Sequence, residues 1–212
     1  MIQTHTFCWN PFQVNSYLLF DDSGEGWLID SGAESEDDLA GLDDILRQKN
    51  VRLTRVLLTH GHVDHVLGCA RMVERYKVFP ELHPADHLLY RKAVEQGSMF
   101  GLRINNLPEV RPLEPDDLFL NDSLIRAIRL PGHSPGSMGY YIPESKILFA
   151  GDVIFKHSIG RTDIPGGDYN ELINSIRNEI LGKMEDETLI FPGHGPETTV
   201  GEEKLFNPFL QG

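Results

Sequence analysis

Cysteine is scarce in this chain: Cys8 and Cys69 are the only two among 212 residues. Two thiols are too few for a disulfide framework, and a reducing compartment would keep them free, so both are expected as small packed core residues. Long apolar runs are also missing. No stretch approaches the ~20 apolar residues that span a bilayer, and the opening Met1-Ile2-Gln3-Thr4-His5-Thr6 has no basic segment followed by an apolar one. A cytoplasmic protein without membrane partners is the expectation. Basic charge is the third deficit: 19 Lys plus Arg face 32 Asp plus Glu, a formal net charge of -13. That balance repels phosphate backbones and anionic lipid and disfavours nucleic-acid partners, although bound metal ions could still recruit an anion locally. Repeats, low-complexity tracts and linker-like segments are absent as well.

What is present suits one domain, residues 1–212, with 40% hydrophobic and 24% charged residues. Residues 14–20 and 27–29 are β-prone runs around the turn composition Asp21-Asp22-Ser23-Gly24-Glu25-Gly26, which predicts a hairpin. From Glu36 to Lys49, Leu39, Leu42, Ile45 and Leu46 recur at helical spacing, and Asn50 is a stop. Residues 55–58 read as a buried strand that runs into Thr59-His60-Gly61-His62, with a helix expected over 66–76. A second helix is expected over 85–96 behind Pro84, and 97–115 reads as irregular. Strands are expected over 124–130, 139–142, 147–150 and 188–191, with a helix over 169–181. Strands and helices alternate in two halves, which predicts an α/β arrangement of two sheets flanked by helices.

The chemistry concentrates after the strand at 55–58. Thr59-His60-Gly61-His62-Val63-Asp64-His65 places four metal-ligand types in six positions. On extended backbone, side chains two apart point the same way, so His60 and His62 can grip one ion. Where the chain curls into a helix the directions change, and Asp64 and His65 can face a second. Imidazole suits zinc, iron and similar ions, and a carboxylate adds the negative charge that adjacent cations require. Three more candidates each follow a glycine after an apolar strand: His133 in Pro131-Gly132-His133-Ser134, Asp152 in Ala150-Gly151-Asp152, and His194 in Pro192-Gly193-His194-Gly195. His83, His87, His5 and His157 have no such setting and read as surface or satisfied core residues. Tyr17, Phe100 and Phe155 read as core by default, with the lining of a pocket as the alternative.

His-x-His-x-Asp-His followed by Gly-His, Gly-Asp and Gly-His in this order resembles the metallo-β-lactamase superfamily across nearly the whole chain. The resemblance implies a four-layer αβ/βα sandwich. It also implies that His60, His62 and His133 hold one metal, that Asp64, His65 and His194 hold a second, and that Asp152 bridges them. Asp30, in Ile29-Asp30-Ser31-Gly32, would support the histidine loop from behind the ligands. Gly160-Arg161-Thr162-Asp163 is similar to glyoxalase II-like thioesterases and persulfide dioxygenases, with a salt bridge inside the loop as the plain alternative. Pro192 to Thr199 and the closing Asn207-Pro208-Phe209-Leu210 resemble compact glyoxalase II-like hydrolases. Only 18 residues follow His194 in the 212-residue sequence, so the helical glutathione-holding domain of longer relatives is expected to be missing.

The resemblance thus implies a hydrolase of a small-molecule thioester, possibly glutathione-linked, working as a monomer or small homo-oligomer. Its cofactors would be two divalent ions, zinc first, with iron or manganese as alternatives. A metal-bridging hydroxide would attack the carbonyl, with Asp64 and Asp152 as the carboxylates of the reaction. The alternatives are a persulfide dioxygenase with a single Fe(II), or a hydrolase of another ester, a lactone or a β-lactam; a structural metal scaffold is opposed by the lack of cysteine ligands.

Overall fold

Two mixed β-sheets, each of six strands, order the chain. The computed structural model describes residues 1–102, 104 and 106–211. It divides into two units, Met1–Leu113 with Phe119–Ser123, and Glu114–Leu118 with Leu124–Gly212. Arg103 and Asn105, inside the stretch read as irregular, lie outside the described residues.

In the first unit, β1 (Gln3–Trp9), β2 (Val14–Phe20), β3 (Glu25–Ile29), β4 (Arg52–Leu57), β5 (Pro80–Leu82) and β6 (Arg111–Pro112) lie side by side in chain order. The first three are antiparallel, and β3 to β6 are parallel. Every residue of β2 is buried, the pattern of a strand covered on both faces. β1 was not apparent in the sequence, and it corrects the expectation for one cysteine. Strand alternation buries Phe7 and Trp9 and turns Cys8, between them, to the exposed face. Cys69 is fully buried, as expected.

Helix α1 (Glu36–Lys49) has the expected bounds because both ends are capped. Ser35 and Asp38 form a capping box, and Asn50 closes the helix at φ 54. Its Leu39, Leu42 and Leu46 are buried in a cluster with Leu18, Leu28 and Val56. The helix expected over 66–76 forms as α2 (Val63–Val66) and α3 (Cys69–Tyr76). Gly68 interrupts it: its N–H bonds the Ser31 carbonyl at 2.7 Å, and a Cβ there would meet the Ala33 carbonyl oxygen at 2.8 Å. The helix expected over 85–96 is a 3₁₀ turn, Pro84–Asp86, followed by α4 (His87–Arg91) and α5 (Ala93–Met99). Phe100 is exposed rather than core, and it packs edge-on against Phe12 with 5.2 Å between rings.

In the second unit are β7 (Asp116–Leu120), β8 (Ser123–Arg129), β9 (Met138–Ile142), β10 (Ile147–Gly151), the hairpin β11 (Ile154–Phe155) with β12 (Ser158–Ile159), β13 (Leu189–Pro192) and β14 (Thr198–Thr199). The large sheet runs β14-β13-β10-β9-β8-β7. Helix α6 (Tyr169–Ser175) continues through Leu181 in wider π-type turns, and α7 (Val200–Phe206) follows β14. Leu148, Ile176, Ile180, Ile190 and Val200 form its fully buried centre, and each such side chain is worth about 1.5–3 kcal/mol of burial. Among the described residues no helix is long and apolar enough to cross a membrane.

Strand direction decides where the chemistry sits in each unit. β3 and β4 are parallel, with Ile29 opposite Leu57, so Asp30 and the loop from Thr59 leave the same sheet edge. In the second unit β9 is antiparallel to both β8 and β10, and β13 is parallel to β10. β8, β10 and β13 therefore run the same way, and His133, Asp152 and His194 all follow their carboxyl ends, where open α/β sheets place ligand sites.

Candidate metal centre

The first unit supplies His60, His62, Asp64 and His65, and the order of that loop depends on Asp30. Asp30 is 1% exposed and sits at φ 57, a left-handed conformation that aspartate tolerates better than most residues. Its Oδ1 accepts from Thr59 N–H at 2.7 Å, and its Oδ2 accepts from Thr59 Oγ1 at 2.8 Å. The same Oδ2 is 2.8 Å from His65 Nδ1. Thr59 Oγ1, its proton given to Asp30, is 3.0 Å from His60 Nδ1 and is left to accept from it. One buried carboxylate thus sets both tautomers: the Nδ1 atoms of His60 and His65 carry the protons, and their Nε2 atoms keep the lone pairs.

The rings of His60 and His65 lie 4.1 Å apart, and those of His60 and His62 lie 4.8 Å apart. Asp64 Oδ2 is 3.6 Å from His65 Nε2. The extended backbone expected at His62 is observed, with φ -70 and ψ 152, and the turn into α2 begins directly after it. Two further ties were invisible in the sequence. Asn10, in the β1–β2 turn, donates to the carbonyls of Gly32 and Asp64 at 3.0 and 2.9 Å. Asp86 accepts from the Gly61 N–H at 2.9 Å.

Cys69 lies near this loop, and burial, reinforced by the negative Asp30, pushes its thiol far above the ordinary range. It is a neutral packing residue, not a thiolate ligand.

The second unit brings His133, Asp152 and His194 together. Asp152 Oδ2 is 3.7 Å from His133 Nε2 and 3.6 Å from His194 Nε2. Gly132 is required before His133: its φ is 131, and a Cβ would meet the Leu172 nitrogen at 2.2 Å. His133 Nδ1 is 2.9 Å from the main-chain carbonyl of Arg161 and can only donate to it, so Nε2 is again the lone-pair nitrogen. The Gly160-Arg161-Thr162-Asp163 segment therefore works through its backbone. A Cβ on Gly160 would stand 1.9 Å from the Asp152 carbonyl oxygen, so the loop passes directly beneath that residue. The Arg161 guanidinium points into solvent and pairs with Asp163 at 2.9 and 3.0 Å, the plain salt bridge. Phe155 lies 6.4 Å from the His194 ring.

The first unit thus holds two imidazoles with Nε2 lone pairs, and the second holds His133, beside carboxylates, a donor set suited to divalent cations. The metallo-beta-lactamase superfamily model matches residues 9–194 of the sequence. The chain belongs to the metallo-β-lactamase superfamily. It is similar to hydroxyacylglutathione hydrolase GloC of Haemophilus influenzae, 37% identical over 94% of this chain and 93% of that protein. Among solved structures, TTHA1623 in a di-iron-bound form matches with a TM-score of 0.87 and 39% identity, covering 97% of this chain and 100% of that one. The BLEG-1 B3 metallo-β-lactamase matches with a TM-score of 0.85 and 34% identity over 100% of both chains. The fold is that of the superfamily, and the protein is a metallo-hydrolase by family.

Proposed function

We propose that this superfamily member is a thioesterase of the hydroxyacylglutathione hydrolase type, and that His60, His62, Asp64, His65, His133, Asp152 and His194 form one ligand set for two divalent ions. In this reading His60, His62 and His133 serve one ion, Asp64, His65 and His194 the other, and Asp152 both. The observation that carries the metal assignment is the fixed tautomer of His60, His65 and His133, each with Nδ1–H committed to an acceptor so that Nε2 is the ligating nitrogen. The likeness to GloC over 94% of this chain supports the reaction class. Zinc is the first expectation, and the di-iron form of TTHA1623 supports iron as an occupant.

When bound, a pair of such ions would bring the pKa of a water down to near neutrality and polarise a carbonyl oxygen. The protein's own part is positional. Asp30 and the Arg161 carbonyl hold three imidazoles rigidly, so the site has little to reorganise during reaction. Asp152, within 3.7 Å of two imidazoles, is the carboxylate placed to orient a nucleophilic water and to carry its proton, and Asp64 would supply the second negative charge. A thiolate leaving group needs no acid, which suits a site whose histidines are all ligands. We place the protein in the cytoplasm, where its thiols would stay reduced, acting as a monomer or small homo-oligomer.

The test is hydrolysis of S-D-lactoylglutathione and a thioester panel by protein loaded with zinc or iron, compared with metal-stripped protein. Metal-dependent turnover with two equivalents bound is expected, and turnover equal to that of the stripped control would defeat the proposal. Cephalosporin hydrolysis is the second reading, favoured by the end-to-end likeness to BLEG-1; a cephalosporin turned over faster than every thioester would put it first.

A further inference from the structure

Asp86 has no part in the reaction just described, yet it is fully buried. A carboxylate in such a place is costly unless its oxygens are well used. Its Oδ2 reaches 25 residues back along the chain to accept from the main-chain N–H of Gly61 at 2.9 Å. Gly61 is the residue between His60 and His62. The two segments touch over more than this bond. A Cβ on Gly61 would stand 2.9 Å from the Tyr90 nitrogen, 3.1 Å from the Asp86 carbonyl oxygen and 3.3 Å from Tyr90 Cα. The backbone linking the two histidines therefore lies directly against the start of α4, and the Asp86 carboxylate fixes how far along it sits. The anchor is itself held: Asp86 N–H bonds the His83 carbonyl at 3.0 Å, and the His83 ring accepts from Ala85 N–H at 3.2 Å. His83, bland in the sequence, thereby sets the turn that aims Asp86.

We propose that Asp86 is a positioning residue for the metal site, acting through the Gly61 amide to set the spacing and direction of His60 and His62. Asp30 holds the loop at its two ends, through Thr59 and His65, and its bonds to them do not reach Gly61. Asp86 supplies a restraint there, through the Gly61 amide. The inference rests on the ligand assignment proposed above. It requires an acceptor at Asp86 Oδ2 more than a charge, so the carboxamide of Asp86→Asn, whose oxygen can take the same bond, should preserve function.

The experiment uses the full chain titrated with Co²⁺, following affinity by chelator competition, the visible ligand-field spectrum, and the melting of the metal-free protein. Asp86→Ala should weaken Co²⁺ binding about 10- to 100-fold, the usual effect of losing an outer partner, and change the spectrum. Asp86→Asn should return affinity to within about threefold of wild type and restore the spectrum. Should Asp86→Ala fail to fold, Asp86→Glu replaces it: the added methylene must displace Gly61, and the spectrum should change although the charge is kept. Wild-type affinity and spectrum in Asp86→Ala, or in Asp86→Glu where that variant is used, would overturn the proposal, as would Asp86→Asn binding as weakly as Asp86→Ala. His62→Ala separates the two ideas. If it binds Co²⁺ as wild type does, the ligand assignment is wrong and the role of Asp86 falls with it. If it loses Co²⁺ while Asp86→Ala does not, only the Asp86 proposal falls.

Discussion

Replacing Asp30 with asparagine isolates the proton arrangement behind the histidine loop. Asparagine tolerates the left-handed φ of 57 at this position and has nearly the same volume, so neither strain nor a cavity confounds the result. Three donors converge on the native carboxylate: Thr59 N–H, Thr59 Oγ1–H and His65 Nδ1–H, at 2.7, 2.8 and 2.8 Å. A carboxamide has one oxygen. If it serves Thr59 N–H, the NH₂ group faces the other two donors. His65 can then avoid the clash only by moving its proton to Nε2, which removes the lone pair meant for a metal. Thr59 Oγ1 can turn to accept from the NH₂ while still accepting from His60 Nδ1–H, but its own proton then loses its acceptor. Leaving two buried donors without acceptors costs about 2–4 kcal/mol at ~1–3 kcal/mol each with partial relaxation. That is survivable within the ~5–15 kcal/mol of a typical domain. Metal affinity should fall 10- to 100-fold, about 1.4–2.7 kcal/mol. Long-range ¹⁵N–¹H correlation on the metal-free protein reads the tautomers directly, and chelator competition reads the affinity. Asp30→Asn with His65 still protonated at Nδ1 and wild-type metal affinity would refute the reasoning.

Three further outcomes follow from the same geometry. Gly160→Ala, whose Cβ would stand 1.9 Å from the Asp152 carbonyl oxygen, should destabilise the protein by about 1–3 kcal/mol and weaken metal binding, measured by denaturant titration and metal content; unchanged values would show that the loop yields freely. Arg161→Ala should leave both metal affinity and the denaturation midpoint unchanged, because its solvent-exposed ion pair is worth little and its carbonyl, which serves His133, remains; a lowered metal affinity would show that the side chain matters. Asp43 is pulled two ways, burial raising its pKa and bonds from Arg75 and Tyr76 lowering it, with the net result below the ordinary 3.8. A depressed carboxylate pKa stabilises above the unfolded value and is lost as pH falls through the folded one, so Asp43→Asn should cost about 0.5–1 kcal/mol at pH 7 and progressively less below pH ~4; an equal cost at both pH values would exclude the linkage.

The parts of this protein that the sequence reveals are those in which residue type and local pattern act together. α1 was legible because Leu39, Leu42, Ile45 and Leu46 recur at helical spacing before Asn50, and the β2–β3 hairpin because apolar runs flank a turn composition. The candidate ligands were legible because histidine and aspartate rarely cluster without a reason, whereas Asp30, by itself an ordinary strand-end turn residue, was picked out only through the resemblance to the superfamily. What escaped notice depends on contacts remote in sequence. β1, β5, β6 and β7 are short or mixed in polarity, and only their partners make them strands. The helix expected over 85–96 breaks because its start is needed for something else: Asp86 faces Gly61, and in sequence it looks like an ordinary first-turn acid after a proline. Arg161 was legible only in part: its salt bridge to Asp163 was the plain expectation and is present. Its side chain attracts attention, but the group that matters to His133 is a main-chain carbonyl, which every residue carries and no motif can single out. Gly61 and Gly160 were the available clues, because a glycine without a turn to make marks a place where something passes too close for a side chain. In this chain those two glycines lie against Asp86 and Asp152, so the close approaches behind the histidine loop and beneath Asp152 were written in the sequence as side chains left out.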